Sequence, residues 1–177
     1  MKICLFGSGS GNIDQSFLDV GYQLGEKIAS YNHTLVFGGG NEGMMGSVAR
    51  GCYDNKGKII GVMPEWMDEF EELFEYCDEI IYTKTMDERK IKFIDSSDLF
   101  IISPGGIGTL DEFFEVLTLK KLKKHDKPII ILNVDHFFDN LLNMLDEMVE
   151  LGFIIESDKK MVTVTTDIEE TINYFKD

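Results

Sequence analysis

Cysteine, proline, basic charge and long apolar runs are all scarce in this 177-residue chain. Its three cysteines, Cys4, Cys52 and Cys77, are odd in number and far apart, which excludes an even disulfide framework and a CxxC metal pair. They read as reduced, mostly buried thiols. No apolar stretch approaches the length of a membrane span, and the N-terminal run 3–6 is too short for the apolar core of a signal peptide. A cytoplasmic location with no membrane partner is therefore expected. The 17 basic residues are outnumbered by 32 acidic ones, for a formal charge of −15. Such a chain repels a polyanion, so a nucleic-acid polymer is not the expected ligand, although local geometry still allows a small anion.

Several chemistries are missing as well. The sequence has no GxxxxGK[ST] phosphate loop and no GxSxG elbow, and His33, His125 and His136 lack metal-ligand spacing. A phosphate-loop kinase, a serine hydrolase and a zinc enzyme are disfavoured, and no metal site is expected.

What is present is a rhythm. Short β-branched and apolar runs at 3–6, 34–37, 58–63, 79–82, 98–102, 129–132 and 161–164 alternate with amphipathic segments at 13–30, 44–55, 85–96, 110–123, 137–151 and 168–175. In the fourth of these segments Leu110, Phe113, Phe114 and Leu117 form one stripe. The alternation predicts an α/β fold: a single Rossmann-like domain over 1–177, a three-layer sandwich whose central parallel sheet of about seven strands is flanked by helices. The acidic, aromatic stretch 64–78 breaks the rhythm and reads as a connection with room for a short helix, a structural spacer in preference to a cap over the pocket. The basic run 120–127 reads as a favoured helix C-terminus followed by a solvated turn.

In an open parallel sheet, ligands bind beyond the carboxyl ends of the strands, and three glycine-rich loops stand there. Gly7-Ser8-Gly9-Ser10-Gly11 lacks GxGxxG spacing and suits either an anion loop or a plain strand-to-helix turn. Gly38-Gly39-Gly40 has more glycines than a turn needs, which predicts the close passage of a ligand or of neighbouring backbone. Pro104-Gly105-Gly106-Ile107-Gly108-Thr109 lies between a buried run and an amphipathic helix, where free amides and the Thr109 hydroxyl converge on a phosphate. Thr109-x-x-Glu112 also fits a capping box, but capping alone does not call for Gly105, Gly106 and Gly108 together. Arg89 and Lys90, near the start of a helix, suit either a solvated face or an anion site.

Taken together, GGG-x-x-G-x-M-G at 38–46, M-x-x-R-K at 86–90 and PGG-x-GT-x-x-E at 104–112 resemble the Lonely Guy family of phosphoribohydrolases, long labelled lysine decarboxylase-like. The resemblance runs from the first strand to about His136. It implies a Rossmann-like homodimer or larger assembly that hydrolyses the N-glycosidic bond of a nucleoside 5′-monophosphate, AMP or its N6-prenylated form, with no metal or redox cofactor. It places the catalytic pair at Arg89 and Glu112. Substrate contacts then fall on Ser8, Gly39, Gly40, Lys90, Gly105, Gly106, Gly108 and Thr109. The first loop, GSGSGN, and Met44 depart from the family's usual residues. The rival reading is a non-catalytic carrier of a nucleotide or of a molybdopterin-type cofactor. A lysine decarboxylase would need pyridoxal phosphate on a Schiff-base lysine, and nothing in the sequence identifies one.

Overall fold

A computed structural model describes residues 1–176, the side chain of Asp68 apart. The seven strands are β1 (Lys2–Phe6), β2 (Thr34–Phe37), β3 (Lys58–Pro64), β4 (Glu79–Thr83), β5 (Leu99–Ile102), β6 (Ile129–Leu132) and β7 (Val162–Thr165). They form one sheet in the order β4-β3-β2-β1-β5-β6-β7, with every neighbouring pair parallel. The strand order reverses between β1 and β5, so the crevice at their carboxyl ends lies where doubly wound sheets bind ligands.

The helices are α1 (Gln15–Ser30), α2 (Gly43–Asp54), α3 (Met86–Ser96), α4 (Ile107–Lys121), α5 (Asp139–Glu150), α6 (Glu156–Lys159) and α7 (Ile168–Ile172). Period-two alternation along the strands divides the core into two layers. Ile3, Leu5, Leu35, Phe37 and Ile101 pack under α1, α2 and α7, whereas Cys4, Phe6, Val36, Phe100 and Ile102 pack under α3, α4 and α5. Each large side chain so buried contributes about 1.5–3 kcal/mol by leaving water. The sheet is thus covered on both faces, as its nearly continuous apolar strands require.

Three details differ from the sequence reading. The four-residue helix α6 has too little periodicity to show in the sequence. Helix α7 stops at Ile172, although Phe175 beyond it still packs into the core. Within the 64–78 connection only Met67–Glu69 is helical, as a single 3₁₀ turn. The rest of that connection is not a free spacer. The Asn41 amide donates to the Glu72 carbonyl at 2.8 Å, the Phe74 amide donates to the Gly39 carbonyl at 2.9 Å, and Gly40 bridges Leu73.

Candidate active site

A cavity of about 330 Å³ opens at the carboxyl ends of the strands. Its wall includes Ser8, Glu71, Arg89, Gly106, Thr109 and Glu112. Segments far apart in sequence reach it because β1, β2 and β5 end together, and backbone bonds tie the loops to one another. The Ser8 amide donates to the Pro104 carbonyl and the Met45 amide donates to the Ser8 carbonyl, both at 3.1 Å.

The phosphate-loop candidate owes its shape to where α4 begins. The helix starts at Ile107 with Gly106 as its extended N-cap (φ −96°, ψ −150°), three residues earlier than a capping box centred on Thr109 requires. Thr109 therefore stands inside the first turn, and the capping-box alternative does not hold. The first-turn amides of Ile107, Gly108 and Thr109 lack carbonyl partners within the helix, and the helix dipole adds partial positive charge at that end. Gly105 must be glycine: a Cβ there would lie 2.1 Å from Thr109 Oγ1 and 2.9 Å from the Ser8 amide nitrogen. At Gly106 and Gly108 a Cβ would meet nothing within 4 Å, so both border open space.

Arg89 is buried, with 6% of its surface exposed, which rules out the solvated-face reading for this residue. Its Nε donates to the Val62 carbonyl and its Nη2 to the Gly38 carbonyl, both at 3.0 Å, and the guanidinium lies over the Phe93 ring. Nη1 is left facing Glu112 Oε1 at 4.0 Å. The Gly38 and Gly39 conformations follow from this approach and from the turn itself. A Cβ on Gly38 would sit 2.4 Å from Arg89 Nη2, and Gly39 has φ +87°. Gly39 and Gly40 thus stand behind the cavity wall rather than in it, Gly40 lying against the Glu71 carboxylate. Lys90, one residue beyond Arg89, turns to α4, where Nζ donates to Asp111 at 3.0 Å with Glu115 at 3.9 Å. It does not line the cavity.

Glu112 has only 14% of its side chain exposed. Burial pushes its carboxyl up to about 7, against the opposing pull of the Arg89 guanidinium. A carboxyl so placed exchanges its proton near neutral pH, which is the range a catalytic carboxylate needs. Glu71 is the residue that sequence reasoning missed. It lies in the supposed spacer, lines the same cavity, and has a buried Oε2 with no hydrogen-bond partner. Its carboxylate is also one of the charges that raise Glu112. Its only sequence signal was the surplus of glycines at 38–40, which left room for a neighbour.

The profile of the family described as "Possible lysine decarboxylase" matches residues 45–175. The cytokinin riboside 5′-monophosphate phosphoribohydrolase LOG3 of Arabidopsis thaliana is 36% identical over 171 residues, covering 97% of this chain and 80% of its own length. The chain belongs to the Lonely Guy family. The probable phosphoribohydrolase LOGL6 of Oryza sativa subsp. japonica is 35% identical to this Lonely Guy chain, with coverage of 97% and 68%. Among solved structures, the molybdenum cofactor binding protein of Rippkaea orientalis superposes with a TM-score of 0.74 at 26% identity, covering 99% of this chain and 94% of that one. The molybdenum cofactor carrier protein of Chlamydomonas reinhardtii gives 0.73 at 24% identity, with coverage of 99% and 95%, a likeness of fold.

The older description of the Lonely Guy family implies pyridoxal phosphate, whose Schiff base needs an amine that loses its proton readily. The residues do not fit that group. Among the described residues no lysine lines the cavity, and the hydrogen bond that the adjacent Lys90 donates to Asp111 holds its amine above the usual range.

Proposed function

We propose that this protein hydrolyses the N-glycosidic bond of a nucleoside 5′-monophosphate of the AMP or N6-prenylated AMP type, releasing the free base and ribose 5-phosphate. The observation that carries the reading is the pairing of Glu112 with an arginine whose remaining nitrogens are already bonded to backbone carbonyls, in a cavity that also holds the first-turn amides of α4. The names of the Arabidopsis LOG3 and rice LOGL6 relatives, both phosphoribohydrolases, support the same activity.

In the reaction the bond from the ribose C1′ to the base nitrogen breaks and a water oxygen bonds to C1′. One water proton ends on the released base. The ribose becomes cationic on the way, and a carboxylate fixed beside it stabilises that transition state more than the ground state. Glu112 takes this role in its ionised form. Arg89 stays protonated and cannot act as a base; it holds Glu112 in place and favours its ionisation. The amides at 106–109, together with Ser8, bind the 5′-phosphate and supply remote binding energy that orients the ribose. Glu71 adds an acceptor for ribose hydroxyls or a base amine. Lys90 acts by holding α3 against α4.

The protein works on this reading as a cytoplasmic homodimer. Leu122, Leu151, Phe153 and Ile155 are apolar side chains left exposed, which burial against a second copy would remove from water. No described helix is long and apolar enough to cross a membrane. Incubation with AMP and with adenosine tests the proposal: AMP releases adenine, and adenosine, which lacks the phosphate handle, does so at least ~100-fold more slowly. Equal rates on both would remove the phosphate loop from the mechanism. A carrier would instead copurify with its ligand and release no base.

A further inference from the structure

The reversal of strand order between β1 and β5 leaves room on both sides of the 104–106 loop, and the active-site cavity occupies only one of them. On the other side, between the start of α1 and the turn that follows β6, lies a second cleft of about 240 Å³. Ile13, Phe17, Pro104 and Phe137 form its apolar wall, and among the described residues no charged side chain lines it. Ser8 and Gly106 border both cavities, so the two meet at the phosphate loop. A Cβ on Gly106 would meet nothing within 4 Å, which leaves the passage over that residue open.

The wall residue Phe137 is delivered by a strained turn. Asp135 and His136 are consecutive non-glycine residues with φ of 50° and 59°, a conformation costing on the order of 1 kcal/mol each. The Asn133 side chain holds the turn: its Oδ1 accepts from the Phe138 amide at 2.7 Å, and its Nδ2 donates to Asp139 at 2.8 Å. Phe138 consequently enters the core, while Phe137 stays 45% exposed with its ring edge-on to Phe17 at 6.0 Å. A half-open aromatic pair beside an anion-binding loop offers a face for a planar, uncharged group.

We infer that this cleft is a second subsite, which takes the planar end group of a longer ligand joined through a 5′,5′-pyrophosphate to the nucleotide in the main cavity. The inference rests on the reading of the 105–109 loop as the phosphate site. Doubly wound sheets hold dinucleotides in just this way, one half on each side of the strand-order reversal with the pyrophosphate between. The absence of charge in the second cleft suits a base there rather than another phosphate.

Calorimetry with AMP, ADP and a dinucleotide of two adenosines joined by a 5′,5′-pyrophosphate, run in the Glu112→Ala background so that AMP is not consumed, provides the test. The dinucleotide binds at least ~10-fold more tightly than ADP, because its second base gains an aromatic surface. Phe137→Ala removes at least about half of that gain on a logarithmic scale and leaves AMP and ADP within about twofold. Ile13→Asp, which places a carboxylate in the cleft without touching the phosphate loop, has the same selective effect and keeps the inference testable if the first variant misfolds. A dinucleotide that binds no better than ADP overturns the inference while leaving the proposed activity standing, as do variants that weaken all three ligands alike. If AMP itself fails to bind, the phosphate-loop reading falls and the inference falls with it.

Discussion

The 105–109 loop and the 65–78 connection border the same cavity and are held there by different means. The loop is clamped between a buried strand and a 15-residue helix, and its anion-binding capacity comes from backbone amides whose direction the helix sets. The connection carries one 3₁₀ turn and is pinned to the 39–41 loop by a few backbone contacts. It contributes a side chain, Glu71, whose buried oxygen is unpartnered. One wall therefore offers fixed dipoles and the other a single unmet carboxylate. On the proposed reading, phosphate grip is a property of the fold, whereas Glu71 can be altered without dismantling the loop. Glu112 belongs to the first wall through α4, and its burial is a consequence of that rigid packing.

The largest effect that sharpens this contrast is at Glu112. Glu112→Ala lowers the rate of base release by about 10²–10⁴-fold, the range spanned by positioned carboxylates. Glycine substitutions separate fold from function in the same wall. Gly105→Ala lowers thermal stability because its Cβ collides with Thr109 Oγ1 and the Ser8 amide. Gly108→Ala meets no protein atom and, as a glycine-to-alanine change within α4, leaves the melting temperature at or above that of the wild type, yet raises KM for AMP by about tenfold through blocked approach of the phosphate. A Gly108→Ala enzyme with unchanged KM would detach that position from the ligand.

Much of the first wall is legible in the sequence, and the second wall is not. The buried run before Pro104 and the stripe through Phe113 after it place a strand, a loop and a helix by periodicity alone, so the loop's position follows from local rules. The exact start of α4 does not, because Thr109 and Glu112 satisfy a local capping pattern that the extended Gly106 pre-empts. Arg89 shows the same limit. Beside Lys90 it reads equally as a surface charge, and only the convergence of the Val62 and Gly38 carbonyls makes it a buried cation. Glu71 reaches the cavity through long-range pairing with the 39–41 loop, for which a 15-residue acidic stretch offers no periodic signal.

The smaller effects concern protons. Because burial raises Glu112 from its ordinary 4.5 to about 7, the folded state holds a proton that the unfolded chain has already released. The associated stability is complete below pH 4.5 and is lost as pH rises through 7, a change on the order of 3 kcal/mol. Denaturant titrations at several pH values show this slope as the difference between the wild type and Glu112→Gln, which lacks it. On the proposed mechanism the active form is the carboxylate, so kcat/KM is expected to rise as pH passes about 7. Glu71→Gln removes one of the charges that raise Glu112 and moves this limb down by a few tenths of a pH unit, the smallest effect expected. A limb that stays put would show that the two walls are electrostatically independent.

The most direct test of the account measures AMP affinity and adenine release side by side for the wild type and Glu112→Ala. The account predicts wild-type release, with the variant binding AMP within about threefold while its release falls at least ~100-fold. Undiminished release by the variant, or tight AMP binding with no adenine from either protein, would contradict it.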